Sequence, residues 1–241
     1  MDIAAIILAA GKGMRLKSGL PKPMHQIGGR PMLAWSLDAA NALNASRILT
    51  ILPRESQQMQ SWLDGQDFYI QEEQLGTGHA VLTAASALEN FNGVALIMFA
   101  DTPLVTAKTL SGLVESLDDD STVSVLGFEA TDPTGYGRLI TDNNGELTSI
   151  VEHKDANPDE QKITMVNGGI MAVRCPQLFS LLEAINADDD KSEIYLTDIV
   201  AQARQSGNKV QFQITDETEI TGVNNRSDLA RLEKILQTRL R

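Results

Sequence analysis

Ile3-Ala4-Ala5-Ile6-Ile7-Leu8-Ala9-Ala10-Gly11-Lys12-Gly13-Met14-Arg15 is the stretch on which the reading of this chain turns. Residues 3–8 are apolar without alternation, the pattern of a strand buried on both faces, and they give way at once to small residues and two glycines. A turn of that composition brings backbone N–H groups close to phosphate oxygens, while Lys12, Arg15 and Lys22 supply positive charge. The segment lacks the Gly-x-x-x-x-Gly-Lys-Ser/Thr pattern, and Gly11-Lys12-Gly13 has no third glycine to complete a dinucleotide fingerprint. A plain tight turn would also explain Gly11 and Gly13. Leu20-Pro21-Lys22-Pro23 strengthens the phosphate reading, because the prolines restrict the backbone around Lys22.

Outward from this loop, residues 31–43 read as a helix opened by Pro31, with Met32, Leu33, Leu37, Ala40 and Leu43 at helical spacing, and 48–52 as a second strand. Strand, long crossover and strand imply a parallel sheet with its ligand-bearing loops at the carboxyl ends of the strands. The alternation continues with a helix at 56–63, a strand at 68–71, a helix at 79–88, a strand at 94–99, a helix at 106–117 and a strand at 123–128. This predicts a three-layer α/β unit to about residue 130. Beyond it, short strands at 138–140 and 147–151 flank a turn, 154–162 reads as a loop, and 170–173 reads as a strand. Helices at 177–185, 195–204 and 227–240 and a strand at 210–214 follow. Asp188-Asp189-Asp190 reads as a solvated turn, since it lacks calcium-loop spacing.

The 241 residues are ample for a substantial core, and one domain with an attached, mostly β lobe is expected: a nucleotide-binding part at about 1–130, a second part at about 131–225 and a terminal helix at 226–241. The single Cys175 cannot form an intramolecular disulfide, which favours a reducing, cytoplasmic setting. The apolar run at the start lacks the flank and length of a signal peptide, and no stretch reaches the about 18 apolar residues of a membrane span, so no membrane partner is expected. A net charge of −12 argues against binding a nucleic-acid backbone. Yet Lys12, Arg15, Lys17, Lys22 and Arg30 fall in the first thirty residues, where the acid is Asp2 alone. Such a basic loop on an acidic protein suits a small polyanion.

Several constellations admit two readings each. Gln71 to His79 lies between a strand and a helix: its Gln amides can read a pyrimidine edge and Gly76 and Gly78 can admit a base or sugar, or the glycines can simply open the helix, with His79 capping or packing. Asp101 follows an apolar strand, where a carboxylate can hold magnesium against nucleotide phosphates or cap the next helix. Gly135-Tyr136-Gly137-Arg138, Glu152 and Asn167-Gly168-Gly169 flank apolar strands, and their carboxylate and amide groups suit sugar hydroxyls or an acetamido group; Glu152 also reads as a surface acid. Asn225 suits a helix cap, and Asn224 can instead offer an oxygen to a metal.

Taken together, Leu8 to Arg15, Leu20-Pro21-Lys22, Gln71 to His79, Asp101-Thr102-Pro103-Leu104, Gly135 to Arg138, Ile150 to Ala156, Tyr195-Leu196-Thr197-Asp198 and Gly222 to Arg226 resemble the uridylyltransferase domain of bacterial N-acetylglucosamine-1-phosphate uridylyltransferases. The motifs stand in family order over nearly the whole chain. The resemblance implies a Rossmann-like three-layer α/β nucleotide-sugar transferase fold, with a mixed, predominantly parallel sheet and a smaller β-rich sugar-binding lobe. It implies transfer of a uridylyl group from UTP to N-acetylglucosamine 1-phosphate. By the same resemblance Leu8, Ala10, Gly11, Gly13, Arg15 and Lys22 would handle the nucleotide phosphates, and Gln71, Gln74, Gly76 and Thr77 would surround the uracil and its sugar. Asp101 and Asn224 would bind Mg2+, Gly137, Glu152 and Asn167 would position the sugar phosphate, and Arg15, Lys22 and Asp101 would carry the catalysis.

Met14, Phe99-Ala100 and Gly168 stand where the family usually has Thr, Tyr-Gly and Thr. The losses of a hydroxyl and the added methyl of Ala100 are expected to bear on sugar choice more than on nucleotidyl transfer. A related transferase with another nucleotide or sugar, or a non-catalytic nucleotide-sugar binding protein, are the alternatives. Bifunctional members continue into a left-handed β-helix with acetyltransferase activity; this chain has no hexapeptide repeat, and that activity is not expected of it.

Overall fold

The computed structural model describes residues 1–11, 13–186 and 193–239. Lys12, the side chain of Met14, the acidic turn at 188–190 and Leu240 lie outside the described residues. The strands are β1 (Ile3–Leu8), β2 (Gln26–Ile27), β3 (Arg30–Pro31), β4 (Arg47–Pro53), β5 (Phe68–Gln71), β6 (Val94–Phe99), β7 (Ser121–Glu129), β8 (Arg138–Thr141), β9 (Leu147–Val151), β10 (Met165–Arg174) and β11 (Lys209–Ile214). The helices are α1 (Met32–Ala42), α2 (Gln57–Trp62), α3 (Thr77–Leu82), α4 (Ala107–Glu115), α5 (Cys175–Asn186), α6 (Asp198–Gln205), α7 (Glu217–Ile220) and α8 (Arg226–Arg239).

Nine of these strands form one sheet along the path β11-β7-β10-β6-β1-β4-β5, with β8 paired to β10 and β9 to β8. β6, β1, β4 and β5 run parallel, so Leu8, Phe99 and Gln71 end at one edge. β10 enters antiparallel between β6 and β7. Alternate residues of β1 serve opposite faces: Ala4, Ile6 and Leu8 join the core under α3, α5 and α6, and Ala5, Ile7 and Ala9 join the core under α1, α2 and α4. That division explains a strand with no polar position and yields a Rossmann-like three-layer α/β fold with a large, mixed sheet and a smaller β-rich part around β8 and β9. Among the described residues no helix is long and apolar enough to cross a membrane.

Several elements differ from the sequence reading, and the short α7 has no counterpart in it. The helix expected over 79–88 is α3 followed by a separate 3-10 turn at Ala85–Leu88, because Thr83 bonds back to His79 with its hydroxyl and its N–H is shared between His79 and Ala80. The helix expected from 195 begins at Asp198, since Ile194 and Leu196 are drawn onto the start of α3: Gly78 N–H donates to Ile194 O at 2.8 Å and Leu196 N–H to Thr77 Oγ1 at 3.0 Å. β10 spans ten residues rather than four, because a bulge absorbs Gly168-Gly169 inside the strand instead of before it. The β2–β3 hairpin was not read at all, although Gly28 and Gly29, both at positive φ (59° and 74°), are the two-residue turn that such a hairpin demands. Its Gly28 N–H donates to Glu233 of α8, and Trp35 Nε1 donates to Ile27 O at 3.0 Å, closing a third apolar cluster around Leu16, Met32, Leu232 and Leu236.

Candidate functional site

A cleft of about 350 Å³ opens at the carboxyl edge of β1, β5 and β6, where open α/β sheets take their ligands. Leu8, Ala10, Gly11, Lys22, Gln71, Gln74, Gly76, Thr77 and Asp101 all line it. Gly11 presents its bare Cα to open space, with nothing within 4 Å of where a Cβ would stand. Gly13 does not line the cleft; it turns the loop at φ 58° and lets Lys22 approach, since a Cβ there would meet Lys22 Cβ at 2.7 Å. Lys22 is thereby held against the loop and aimed inward.

Its ammonium contacts Asp101 Oδ2 and lies 3.5 Å from Asn224 Oδ1, which also accepts from Arg15 Nη2 at 2.8 Å. Four residues separated by up to 209 positions in sequence thus meet at one corner, two cations against a carboxylate and an amide oxygen. Asp101 is not a helix cap: Thr106 caps α4, accepting from Thr109 N–H at 3.2 Å. Val223 N–H donates to Asp101 O at 2.9 Å, which seats Asn224 beside the carboxylate. Asn225 begins α8, accepting from Asp228 N–H at 3.0 Å while Asp228 Oδ2 accepts from Asn225 N–H at 3.0 Å, a reciprocal cap. Of the neighbouring asparagines Asn225 therefore caps the helix, and Asn224 turns its oxygen to the Arg15 and Lys22 side chains. No group of three or more His, Cys, Asp or Glu that could hold a metal exists among the described residues. Magnesium usually takes only one or two protein oxygens beside phosphates and waters, and two oxygens already converging on a positive charge fit that demand.

The glutamine segment is more committed than its sequence suggested. Gln71 is 3% exposed, and its amide donates to Gly76 O at 3.1 Å and meets His79 Nδ1 at 3.0 Å. With both amide hydrogens so engaged, Gln71 offers a ligand its carbonyl oxygen and not a donor–acceptor pair. Gln74 donates to Ala10 O, tying this segment to the phosphate loop. The close approach permitted by Gly76 and Gly78 is that of Ile194: a Cβ on Gly76, at φ 103°, would stand 2.4 Å from Ile194 O, and one on Gly78 2.7 Å from Ile194 Cγ2.

Gly137, Glu152 and Asn167 lie together outside the residues that line the cleft. The register explains their meeting: Arg138 pairs with Val151 on one side and Val166 on the other, so the residue next to each falls in one row. Asn167 N–H donates to Gly137 O at 2.8 Å, and a Cβ on Gly137 would be 3.6 Å from Glu152 Oε1 and 3.7 Å from Asn167 Cβ. Asn167 Oδ1 accepts from Gly169 N–H at 2.9 Å and Glu152 Oε1 from the Thr197 hydroxyl at 2.9 Å.

Pro23 and Phe99 also line the cleft, as do Glu193 and Tyr195, to which the sequence assigns no site role. Tyr195 donates to Glu193 and accepts from Lys154 Nζ at 2.7 Å. The Glu193 bond pushes the Tyr195 phenol above its usual range, and the Tyr195 hydroxyl does the same for Lys154. The Tyr195-Leu196-Thr197-Asp198 match was the available signal; which side of the sheet it would face was not in it.

Two departures from the resembled family find a structural reason. Ala100 is 1% exposed: it stands in the wall of the cleft and packs against the core behind it. A Cβ at Gly168 would stand 2.5 Å from Ile220 Cγ2 and 2.8 Å from Leu126 O, so Ile220 fills the space a threonine would need. Gly168→Thr should therefore lose about 1–3 kcal/mol of stability by overpacking. In urea unfolding, Gly168→Thr and Ile220→Ala together should cost less than the sum of the two alone; strict additivity would show that Ile220 is not the obstacle.

A family model described as MobA-like NTP transferase domain matches residues 5–195. The chain is 42% identical over 240 residues to the bifunctional protein GlmU of Maricaulis maris, covering 99% of this chain and 53% of that protein. It is 44% identical over 241 residues to that of Parvibaculum lavamentivorans (98% and 53%) and 45% over 240 residues to that of Rhodospirillum rubrum (99% and 54%). The chain thus spans about half the length of the curated relatives it matches. A match that runs from β1 past Lys22 and Asp101 to Tyr195 follows elements that build the cleft, and by it the chain belongs to the family of MobA-like NTP transferase domains.

Proposed function

We propose that this chain is a single nucleotidyltransferase domain that makes UDP-N-acetylglucosamine and pyrophosphate from UTP and N-acetylglucosamine 1-phosphate, with Mg2+ as cofactor. The observation that carries the reading is the convergence of Lys22, Arg15, Asp101 and Asn224 at the mouth of a glycine-turn cleft. Similarity to the bacterial GlmU proteins along 98–99% of the chain supports the uridylyl and sugar assignments. The free Cys175, whose thiol burial pushes up to about 11, accords with a cytoplasmic setting.

In this reading the backbone around Leu8, Ala10 and Gly11 receives the triphosphate, and Gln71 Oε1 accepts from the base while Gln74, Gly76 and Thr77 wall the base and its sugar. Gly137, Glu152 and Asn167 hold the hydroxyls and acetamido group of the acceptor. An ionised oxygen of the sugar phosphate attacks the α-phosphorus in line; the bond to the bridging oxygen breaks and pyrophosphate leaves with it. Lys22 and Arg15 stabilise the charge on the phosphate chain, and the fixed positions of both substrates supply the orientation. Asp101 and Asn224 would hold magnesium, which when bound neutralises phosphate charge. No protein nucleophile or base is needed, because the attacking oxygen is already ionised.

Product formation tests the reading. Purified chain with magnesium and a matrix of UTP, CTP, ATP, GTP and dTTP against glucosamine, N-acetylglucosamine, N-acetylgalactosamine and glucose 1-phosphates should yield UDP-N-acetylglucosamine selectively by mass spectrometry. A different nucleotide sugar would reassign the pocket but keep the chemistry, whereas ligand binding without pyrophosphate release would replace the enzyme by a binding protein.

A further inference from the structure

Arg138 is 1% exposed, yet none of the ion pairs among the described residues includes it. Instead its guanidinium donates to Tyr136 O, to Gln161 O at 3.2 Å and to His153 Nδ1 at 3.2 Å, and its Nε is buried without a partner. Burying a cation on neutral acceptors is costly, and an apolar residue would fill the same volume at less expense. Its acceptors reveal what it gains. Two of them, His153 and Gln161, stand near opposite ends of the loop that leaves β9, and that loop begins with Glu152. Within the loop, Glu152 O accepts from Asp155 and Ala156 N–H, and Gln161 returns to Asn157 O with its N–H and to Ala156 O with its side chain at 3.0 Å. Arg138 is thus a clasp placed beneath a self-contained loop, on the strand residue directly beside Gly137.

We infer that Arg138 is a positioning residue for the acceptor sugar: it clasps the 152–162 loop to β8 and so holds Glu152 opposite Gly137 and Asn167. A guanidinium can only donate, so His153 Nδ1 is the acceptor in this contact. The three-way fork is what makes arginine the residue of choice, since a lysine ammonium reaches acceptors as a point charge and cannot span loop and strand in one plane. Arg138 itself touches none of the residues that line the nucleotide cleft, and the loop it clasps reaches that cleft through Lys154, which donates to the Tyr195 hydroxyl at 2.7 Å, so the larger effect falls on the acceptor sugar. This inference rests on the proposed sugar-phosphate role of Glu152.

The test has one arm that needs no substrate. In Arg138→Gln, hydrogen exchange of the amides of Asp155, Ala156 and Gln161 should accelerate by about tenfold or more while β1 and β6 amides keep their protection. In kinetics, the KM for N-acetylglucosamine 1-phosphate should rise by about fivefold or more with the KM for UTP changed less than about twofold. Arg138→Lys should recover part of both losses. A simple loss of stability would instead speed exchange throughout the sheet and leave the two KM values in their original ratio, and that outcome overturns the assignment. So does unchanged exchange in the loop. Should Arg138→Gln not fold, His153→Ala leaves the arginine its two carbonyls and should show the same split on a smaller scale; an unaltered KM for the sugar phosphate would then overturn it. If no sugar 1-phosphate is a substrate, the proposed function fails while the exchange arm still decides whether Arg138 clasps the loop.

Discussion

Asp101→Asn should lower magnesium-dependent turnover by about a hundredfold or more while the folded protein persists. The carboxylate stands at the end of β6, where its backbone carbonyl is already held by Val223 N–H at 2.9 Å, and an isosteric amide leaves that bond intact. Only the charge is lost. The pair with Lys22 is mostly buried, with side-chain exposures of 13% and 22%, but the amide oxygen of asparagine still accepts from the ammonium, so the loss of stability should be smaller than the loss of turnover. The cost falls on the bound state, where phosphate charge must be met by a cation that a neutral amide holds less well. Steady-state turnover and thermal melting, measured side by side, check the expectation; normal turnover with magnesium would sink the role proposed for Asp101.

Lys22→Ala is expected to act in opposite directions on two ligands. Lys22 is held toward the cleft by the bare Cα of Gly13 and by its flanking prolines, and loss of its charge-assisted contact to phosphate should reduce kcat/KM for UTP by about tenfold to a hundredfold. In the free protein, however, its ammonium occupies the space between Asp101 Oδ2 and Asn224 Oδ1. A divalent cation entering without nucleotide must compete with it. Removing the ammonium should therefore tighten binding of Mn2+ alone, read by its electron-paramagnetic signal in the absence of UTP, even as UTP use declines. Unchanged kinetics for UTP would contradict the phosphate contact, and weaker Mn2+ binding would contradict the competition.

How much of this was legible beforehand follows from the range over which each signal acts. β1 and β6 have the bounds that their apolar runs imply, because a strand buried on both faces tolerates no polar residue and stops where turn residues begin; β5 and β9 keep their expected bounds although they are half-buried and carry Gln71 and Thr148-Ser149. The reciprocal cap of Asn225 and Asp228 was equally local, as was the placement of Asp101 after β6. β10 was not legible at full length, since Gly168-Gly169 resembles a loop until Ile220 is seen packed against it. The two hydrogen bonds of the Gln71 amide also escaped the reading, because both partners are set by how α3 leaves its glycine turn.

The sequence by itself determined the alternation of strand and helix, the glycine turn that follows β1 and the family of motifs strung along the chain, all of which depend on neighbours within a few residues. Only the tertiary structure decided that β10 runs between β6 and β7, that the side chains of Arg15, Lys22, Asp101 and Asn224 meet at one corner, and that Arg138 lies under the Glu152 loop. Those arrangements depend on strand register and on side chains brought together across the chain. A local pattern specifies which face of an element is buried, but not which distant element comes to cover it.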